Sequence, residues 1–442
     1  MVMRYEDLLS VKYQGDLVGA LAFDRGRGLG HFEYDPAFRR KGIELSPLHM
    51  PLAAQVYQFP QLDPATFRGL PGMLADALPD DFGNAVLNAW VAREGRAVSS
   101  ITPLERLKYT GSRGMGALEF YPARQMKGLN ASTNVAIDSL VEVAQEVLNQ
   151  RAALQVNLAA GVAERDAMLS LLSVGSSAGG ARPKVVLAFD EGFRHARSGQ
   201  TDAPAGFTHC LLKFDGVVEQ QSGLETFGDP LGFGAMEYTY YQMARQCGIV
   251  MEPCWLLDEG PRRHFVTRRF DRRGNRKLHV QTLCGLAHAS YKQLGQYSYE
   301  EILQLMRRLG LGADDAAQLF RRMVFNVVAR NHDDHTKNFA FLLDPDSHAW
   351  QLAPAYDIAY SYKPGSHWVN SHATTINGKR DGFCRADFHA FSKLSKLFTP
   401  AWIDGVIAQT VDVLAQWPVL ARRNAVPDSI IGMVTPNLRL DI

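Results

Sequence analysis

Hydrophobic positions in this chain follow two periods, and the change from one to the other outlines its organisation. Alternation over Leu17–Phe23 and Gly30–Tyr34 predicts a pair of hairpin strands. Residues 63–94 predict short helices, broken at Pro71-Gly72 and at Pro79. Val135, Leu140, Val143, Val147 and Leu148 suit one linking helix, and the run Val185-Val186-Leu187 then predicts a strand. Two further strands are expected over Thr208–Phe214 and His264–Phe270, with a helix over Phe233–Ile249 between them. After Ser298 the period becomes helical. Ser298 and Glu301 form a capping-box pattern ahead of Ile302, Leu305, Met306 and Leu309. Leu319, Phe320, Met323, Val324, Val327 and Val328 keep the helical period up to Asn331. A two-strand pattern follows, Phe339–Leu343 and Trp350–Leu352, then helical patterns near 386–397 and 401–416. No internal repeat is visible.

At 442 residues the chain exceeds what one core usually supports, so two or three packed units are expected. A net charge of +1 gives no overall attraction to nucleic acid or membrane. Any basic surface must be local, and arginines do cluster at Arg262, Arg263, Arg268, Arg269, Arg272 and Arg273. The five cysteines (Cys210, Cys247, Cys254, Cys284, Cys384) are odd in number and lack a C-x-x-C pair, which predicts reduced residues of a cytoplasmic protein. The first residues carry acids and no apolar core, so no signal peptide is expected, and no run is long enough to span a membrane.

The candidate chemistry centres on Arg330 to Tyr360. Asp333 and Asn338 stand five apart, the spacing at which one phosphoryl-transfer loop places a hydroxyl-orienting Asp and a magnesium-holding Asn. Asp357 follows the predicted hairpin, which would bring a second metal-binding carboxylate back beside them. Upstream, Gly175 to Gly180 open into the strand at Val185, and such a loop either cradles phosphate with its amides or is a surface turn. Lys213 reads either as a solvated residue at the end of an edge strand or as a phosphate-binding lysine, with Glu237 either on the surface or its ion-pair partner. The Gly-rich segment Tyr109–Phe120 reads as a turn followed by a strand, since no lysine or helix start follows it. Asp81-Phe82-Gly83 is placed at a helix turn, remote from the other candidates. His332-Asp333 and His335 also permit a metal-dependent phosphohydrolase reading, and a non-catalytic co-repressor scaffold is a third.

Taken in order, these parts resemble the HipA family of bacterial toxin Ser/Thr kinases over essentially the whole chain. The resemblance is carried by Leu78-Pro79-Asp80-Asp81-Phe82-Gly83 and Arg113-Gly114-Met115-Gly116-Ala117 in the first part. Ser177 with Gly180-Ala181-Arg182-Pro183-Lys184 matches the phosphate loop, and Arg269-Phe270-Asp271-Arg272 the hinge. Asp333-Asp334-His335-Thr336-Lys337-Asn338 and Tyr356-Asp357-Ile358 match the catalytic and metal motifs. The resemblance implies an α+β, kinase-like two-lobed fold: a small α/β domain at 1–125, a lobe with the phosphate loop at 126–275, and a helical lobe at 276–442. It implies Asp333 as the catalytic carboxylate and Asn338 and Asp357 as magnesium ligands. Ser177, Gly179, Gly180, Lys213, Phe270, His335 and Lys337 are then expected around ATP, with Phe270 at the adenine. Self-phosphorylation would fall on Ser177 or the adjacent Ser176. The implied partners are a helix-turn-helix antitoxin, DNA only through it, and a protein substrate such as an aminoacyl-tRNA synthetase. Arg268 departs from the pattern, which has an acidic residue before the hinge.

Overall fold

The computed structural model describes residues 8–124, 135–152, 171, 182–218 and 228–442. The alternating strands near the start build one antiparallel sheet, ordered Val56–Tyr57, Leu29–Tyr34, Asp16–Asp24, Leu8–Tyr13, Leu118–Tyr121. A second antiparallel sheet runs Cys254–Glu259, Arg262–Arg268, Thr208–Lys213, Lys184–Phe189, Ala196–Ser198. The third is small: His279–Thr282, Ala340–Leu343 and Trp350–Leu352. Helices dominate beyond it, and the mixed architecture is the expected α+β fold.

Local chemistry explains where the helices begin. Ser298 and Glu301 exchange both capping-box hydrogen bonds at the start of Tyr299–Arg308, as the sequence predicts. Asp80 caps Asp81–Arg93 by accepting from Gly83 N, so Asp81-Phe82-Gly83 is simply the first turn of a helix. Phe82, Val86, Leu87, Trp90 and Val91 of that helix share a core with Leu140, Ala144 and Leu148 of helix Ile137–Ala152 and with Val185 and Leu187 of the second sheet. The helix is therefore packed against the second sheet although it lies among the first 125 residues. The strand expected over His264–Phe270 begins and ends two residues earlier, at Arg262–Arg268. It stops because Arg269 turns inward to hold Asp271 through two bonds of 2.8 Å. The pattern near 386–397 divides into helix Arg385–His389 and the 3-10 turn Ala390–Lys393.

Helix Phe233–Gln246 matters most for the site. Gly234 lets it lie directly on the strand beneath, since a Cβ there would stand 2.0 Å from Arg263 O. Buried Asp215 secures the same end by accepting from Gly232 N at 2.9 Å, Gly234 N at 3.2 Å and Arg263 N at 3.1 Å. These contacts set the rotation of the helix, and one turn later Glu237 points inward.

Three buried histidines and one half-buried make the fold acid-sensitive. Burial holds His264 and His279 down to about 4, and His288 and His332 down to about 3. Unfolded histidines take up protons near 6.5, so the unfolded chain binds more protons as pH falls and stability declines. Asp80, pushed up to about 7 mainly by burial, acts oppositely between pH 7 and 4 and offsets part of the loss. The net decline from pH 7.5 to 5.5 is expected to be a few kcal/mol, on the order of 1.4 kcal/mol per histidine per pH unit. Urea midpoints that coincide at the two pH values would contradict this.

Candidate active site

Lys213 ends the central strand of the second sheet, opposite Lys184 on one side and Phe265 on the other. It is not an edge residue. Its side chain is 3% exposed, and Nζ stands 2.5 Å from both Glu237 Oε1 and Asp357 Oδ1. Nor is Glu237 on the surface: it is equally buried, and its second oxygen receives Arg182 at 3.3 Å. Like charges directly across a ladder repel, so the pair Lys184 and Lys213 needs compensation. Asp80 Oδ2 supplies it for Lys184 at 3.8 Å, and Glu237 and Asp357 supply it for Lys213. Burial disfavours the Lys213 cation, but Asp357 and Glu237 outweigh it and raise its pKa. Burial likewise opposes ionisation of Asp357, yet Lys213 and Lys184 hold it well below the usual carboxylate range. Glu237 is shifted upward by burial against the pull of Lys213 and Arg182.

This charge cluster forms one wall of a cleft with about 1180 Å³ of free space, mouth included. Phe270 and Tyr356 give it a flat apolar side, their rings 5.5 Å apart. Lys337 also lines it, with Nζ 4.8 Å from the ring centre of Tyr291. Met73, Asp76, Met115 and Ala117 come from the first 125 residues and close another side. Asp76 is fastened there by Thr282 N and Oγ1, both at 2.6 Å.

Beside the cleft lies a smaller recess shared by Asn338 and Asp357. Asn338 closes the 3-10 turn Thr336–Asn338, and its Nδ2 donates to Asp333 O at 2.6 Å. Asp357 takes a left-handed backbone (φ 52°), a conformation an Asp tolerates better than most residues. Asn338 Oδ1 and Asp357 Oδ2 are thereby left as two oxygen donors beside one recess, the donor type magnesium prefers. The residues present fit such an ion.

Asp333 and His335 line neither cavity. The Asp333 side chain is 41% exposed, with His335 Nε2 at 3.6 Å. Its neighbour Asp334 is buried and structural, accepting from His372, Tyr299, Ala373 N and Thr374 N. Ser176, Ser177, Gly179 and Gly180 lie outside the described residues. The histidine–aspartate metal pair is not assembled: His332 is fully buried, with Nδ1 3.2 Å from Val369 O, whereas Asp333 faces outward. Among the described residues, no three His, Cys, Asp or Glu side chains group as a metal site.

Lys184 and Asp80 stand within stretches that carry the resemblance, yet neither was expected at the site, where the fold pairs them. Asp76 had no local signal, because its partner Thr282 lies about 200 residues away. Glu252 also lines the cleft and binds Arg268 at 2.5 Å, so a carboxylate stands beside the hinge despite the arginine there. The arginine cluster is not a free basic patch. Arg262, Arg263, Arg268 and Arg273 pair with Glu259, Asp258, Glu252 and Asp344, while Arg269 and Arg272 share Asp271.

A lysine on a five-stranded sheet, paired with a glutamate from the helix packed on it and facing an Asp and an Asn from a helical lobe, defines a two-lobed, kinase-like protein. Residues 176–417 match the HipA-like C-terminal domain and residues 9–121 the HipA N-terminal domain, and the chain belongs to the HipA family. It is similar in fold to a chain of the Shewanella oneidensis MR-1 toxin–antitoxin complex of HipA, HipB and operator DNA. That likeness has a TM-score of 0.61 and covers 94% of this chain and 90% of the other, at 17% identity. A Haemophilus influenzae protein described as a candidate kinase is 33% identical over 116 residues, 24% of this chain and 33% of its own length. The candidate kinase Y4mE of Sinorhizobium fredii is 26% identical over 127 residues, 26% of this chain and 30% of its own length. The matched stretches thus span about a third of these curated relatives.

Proposed function

We propose that the chain is an ATP- and magnesium-dependent serine/threonine protein kinase that acts as the toxin of a toxin–antitoxin pair. The observation that carries this reading is Lys213, buried at the cleft wall between Glu237 and Asp357. A scaffold gains nothing from two buried charges and a half-buried third, since burying a charge costs several kcal/mol and pairing repays it only partly. In this reading ATP lies in the cleft with adenine against Phe270, Lys213 and Lys337 contact its phosphates together with Ser177, Gly179 and Gly180, and His335, outside the cleft wall, would have to turn toward them to take part. Asn338 and Asp357 would hold the magnesium ion, whose charge would offset that of the transferring phosphate. Asp333, exposed enough to meet a protein substrate, orients the incoming hydroxyl and accepts its proton. The domains are read as 1–125, 126–275 and 276–442.

The likeness to a HipA chain solved with HipB and operator DNA supports a helix-turn-helix antitoxin as partner. DNA is reached through that partner, since the arginines at 262–273 are occupied by carboxylates. No helix among the described residues is long and apolar enough to cross a membrane. The proposed substrate is a cytoplasmic translation component, an aminoacyl-tRNA synthetase being one such protein.

The test is incubation with γ-labelled ATP and magnesium, with and without cell extract, followed by mass spectrometry of labelled peptides. Label on serine or threonine is expected, including Ser177 or Ser176 of the chain itself. Phosphoserine adds about −1.5 to −2 charges beside the nucleotide phosphates. The phosphorylated form is therefore expected to bind ATP poorly until phosphatase restores it. Equal ATP affinities of the two forms would remove self-inactivation from the reading.

A further inference from the structure

We propose that Asn331 presents a further oxygen to the divalent cation held by Asn338 and Asp357, and that a buried hydrogen-bond chain from Asp334 fixes its orientation. The inference rests on the magnesium-binding reading above. Asn331 is 2% exposed and lines the same recess as Asn338 and Asp357. Its Oδ1 is buried and has no hydrogen-bond partner. A buried amide oxygen left bare costs about 1–3 kcal/mol, so its persistence calls for a ligand.

The direction of the amide is dictated from both ends. Asp334 Oδ1 accepts from Ala373 N and Thr374 N, and its carboxylate, acting as acceptor, takes the Tyr299 hydroxyl on Oδ2 at 2.9 Å. Having donated there, the Tyr299 oxygen accepts from Asn326 Nδ2 at 3.0 Å. Asn326 Oδ1 is then the only atom of that amide free to face Asn331, and it accepts Asn331 Nδ2 at 2.9 Å. At the other end Asn331 Nδ2 also points to Asp357 O at 3.5 Å, and a carbonyl can only accept. Both constraints put nitrogen on one side and leave Oδ1 for the recess. Tyr299, Asn326, Asn331 and Asp334 are all at most 3% exposed, so water does not compete for these bonds. The recess also holds Arg322, whose Nη2 donates to Ala353 O at 2.6 Å. Asp334 and Asp357 are balanced there by Arg322 and, on Asp357 Oδ1, by Lys213, so neutral amide oxygens are what the recess can add for a cation. An oxygen added there serves a hard cation, either directly or through one of the waters magnesium retains.

The experiment is Mn²⁺ titration of the full chain with a non-hydrolysable ATP analogue, followed by electron paramagnetic resonance. The parent is expected to bind Mn²⁺, and Asn331→Ala to weaken that binding about tenfold or more, the scale of lost outer ligands. Metal-free nucleotide affinity should stay within about twofold. Tyr299→Phe removes no donor to the ion but cuts the chain, and a smaller loss of Mn²⁺ affinity, at least about threefold, is expected. A folded Asn331→Ala protein with parental Mn²⁺ affinity overturns the proposal. If that variant does not fold, unchanged Mn²⁺ affinity in Tyr299→Phe overturns it. Parental binding that is lost in Asn338→Ala but kept in Asn331→Ala sinks this inference alone. A parent that binds no Mn²⁺ with nucleotide sinks the magnesium reading as well.

Discussion

Asp333→Asn is expected to lower phosphate incorporation at least about a hundredfold while leaving ATP affinity within a few-fold of the parent, the scale of a lost acid–base group. The separation follows from geometry. Asp333 lines neither the cleft nor the adjoining recess, so its carboxylate is not part of nucleotide binding. It is the backbone carbonyl of Asp333, not the side chain, that receives Asn338 Nδ2, and the substitution leaves that bond in place. Asp334 anchors the loop independently through Tyr299, His372 and two backbone amides, so the fold of the segment should survive. The measurements are nucleotide affinity by calorimetry and label transfer under the same conditions. Incorporation that stays at the parental level would remove Asp333 from its role.

Lys213→Ala is expected to do more damage, because it acts on stability and on chemistry together. A surface lysine truncated to alanine changes stability by no more than about 0.5 kcal/mol. Lys213 instead neutralises two carboxylates in a buried cluster, and removing one partner of a buried ion pair typically costs about 3–5 kcal/mol. Without it, Glu237 and Asp357 repel one another across the gap, and Asp357 loses the main reason for its depressed pKa. ATP binding or transfer should fall tenfold or more, beyond what partial unfolding accounts for. A second substitution separates the effects. Lys213→Met with Glu237→Gln removes one charge of each sign and fills the space, so it should recover much of the stability and none of the transfer. Normal kinetics in Lys213→Ala would return the residue to a purely structural role.

Much of this protein was legible along the chain because its signals are local. The capping box at Ser298, the helical stripe from Leu319 to Val328 and the hairpin before Asp357 each depend on residues within a few positions of one another. The spacing of Asn338 and Asp357 was readable for the same reason, since one turn and one hairpin bring these two to one recess, whereas the Asp333 side chain faces outward. The strand bearing Lys213 could be read too, but not its rank in the sheet. An isolated β run does not say whether it lies at an edge or in the centre, and that rank decided between a solvated lysine and a buried one.

Tertiary structure decided the charge pairs that are distant in the chain. Arg262, Arg263, Arg269 and Arg272 meet acids close by in sequence, but Arg268 and Arg273 are cancelled only because Glu252 and Asp344 are folded beside them. Asp76 carries no local mark of function, and Asp80 none of its charge partner; both meet the site only through contacts with the other two sheets. The bare oxygen of Asn331 depends on a chain through 299, 326 and 334, four residues brought together by packing. Periodicity records how each segment buries its own apolar face; the partner of a buried polar atom is set by which segments pack together, and that is a property of the whole fold.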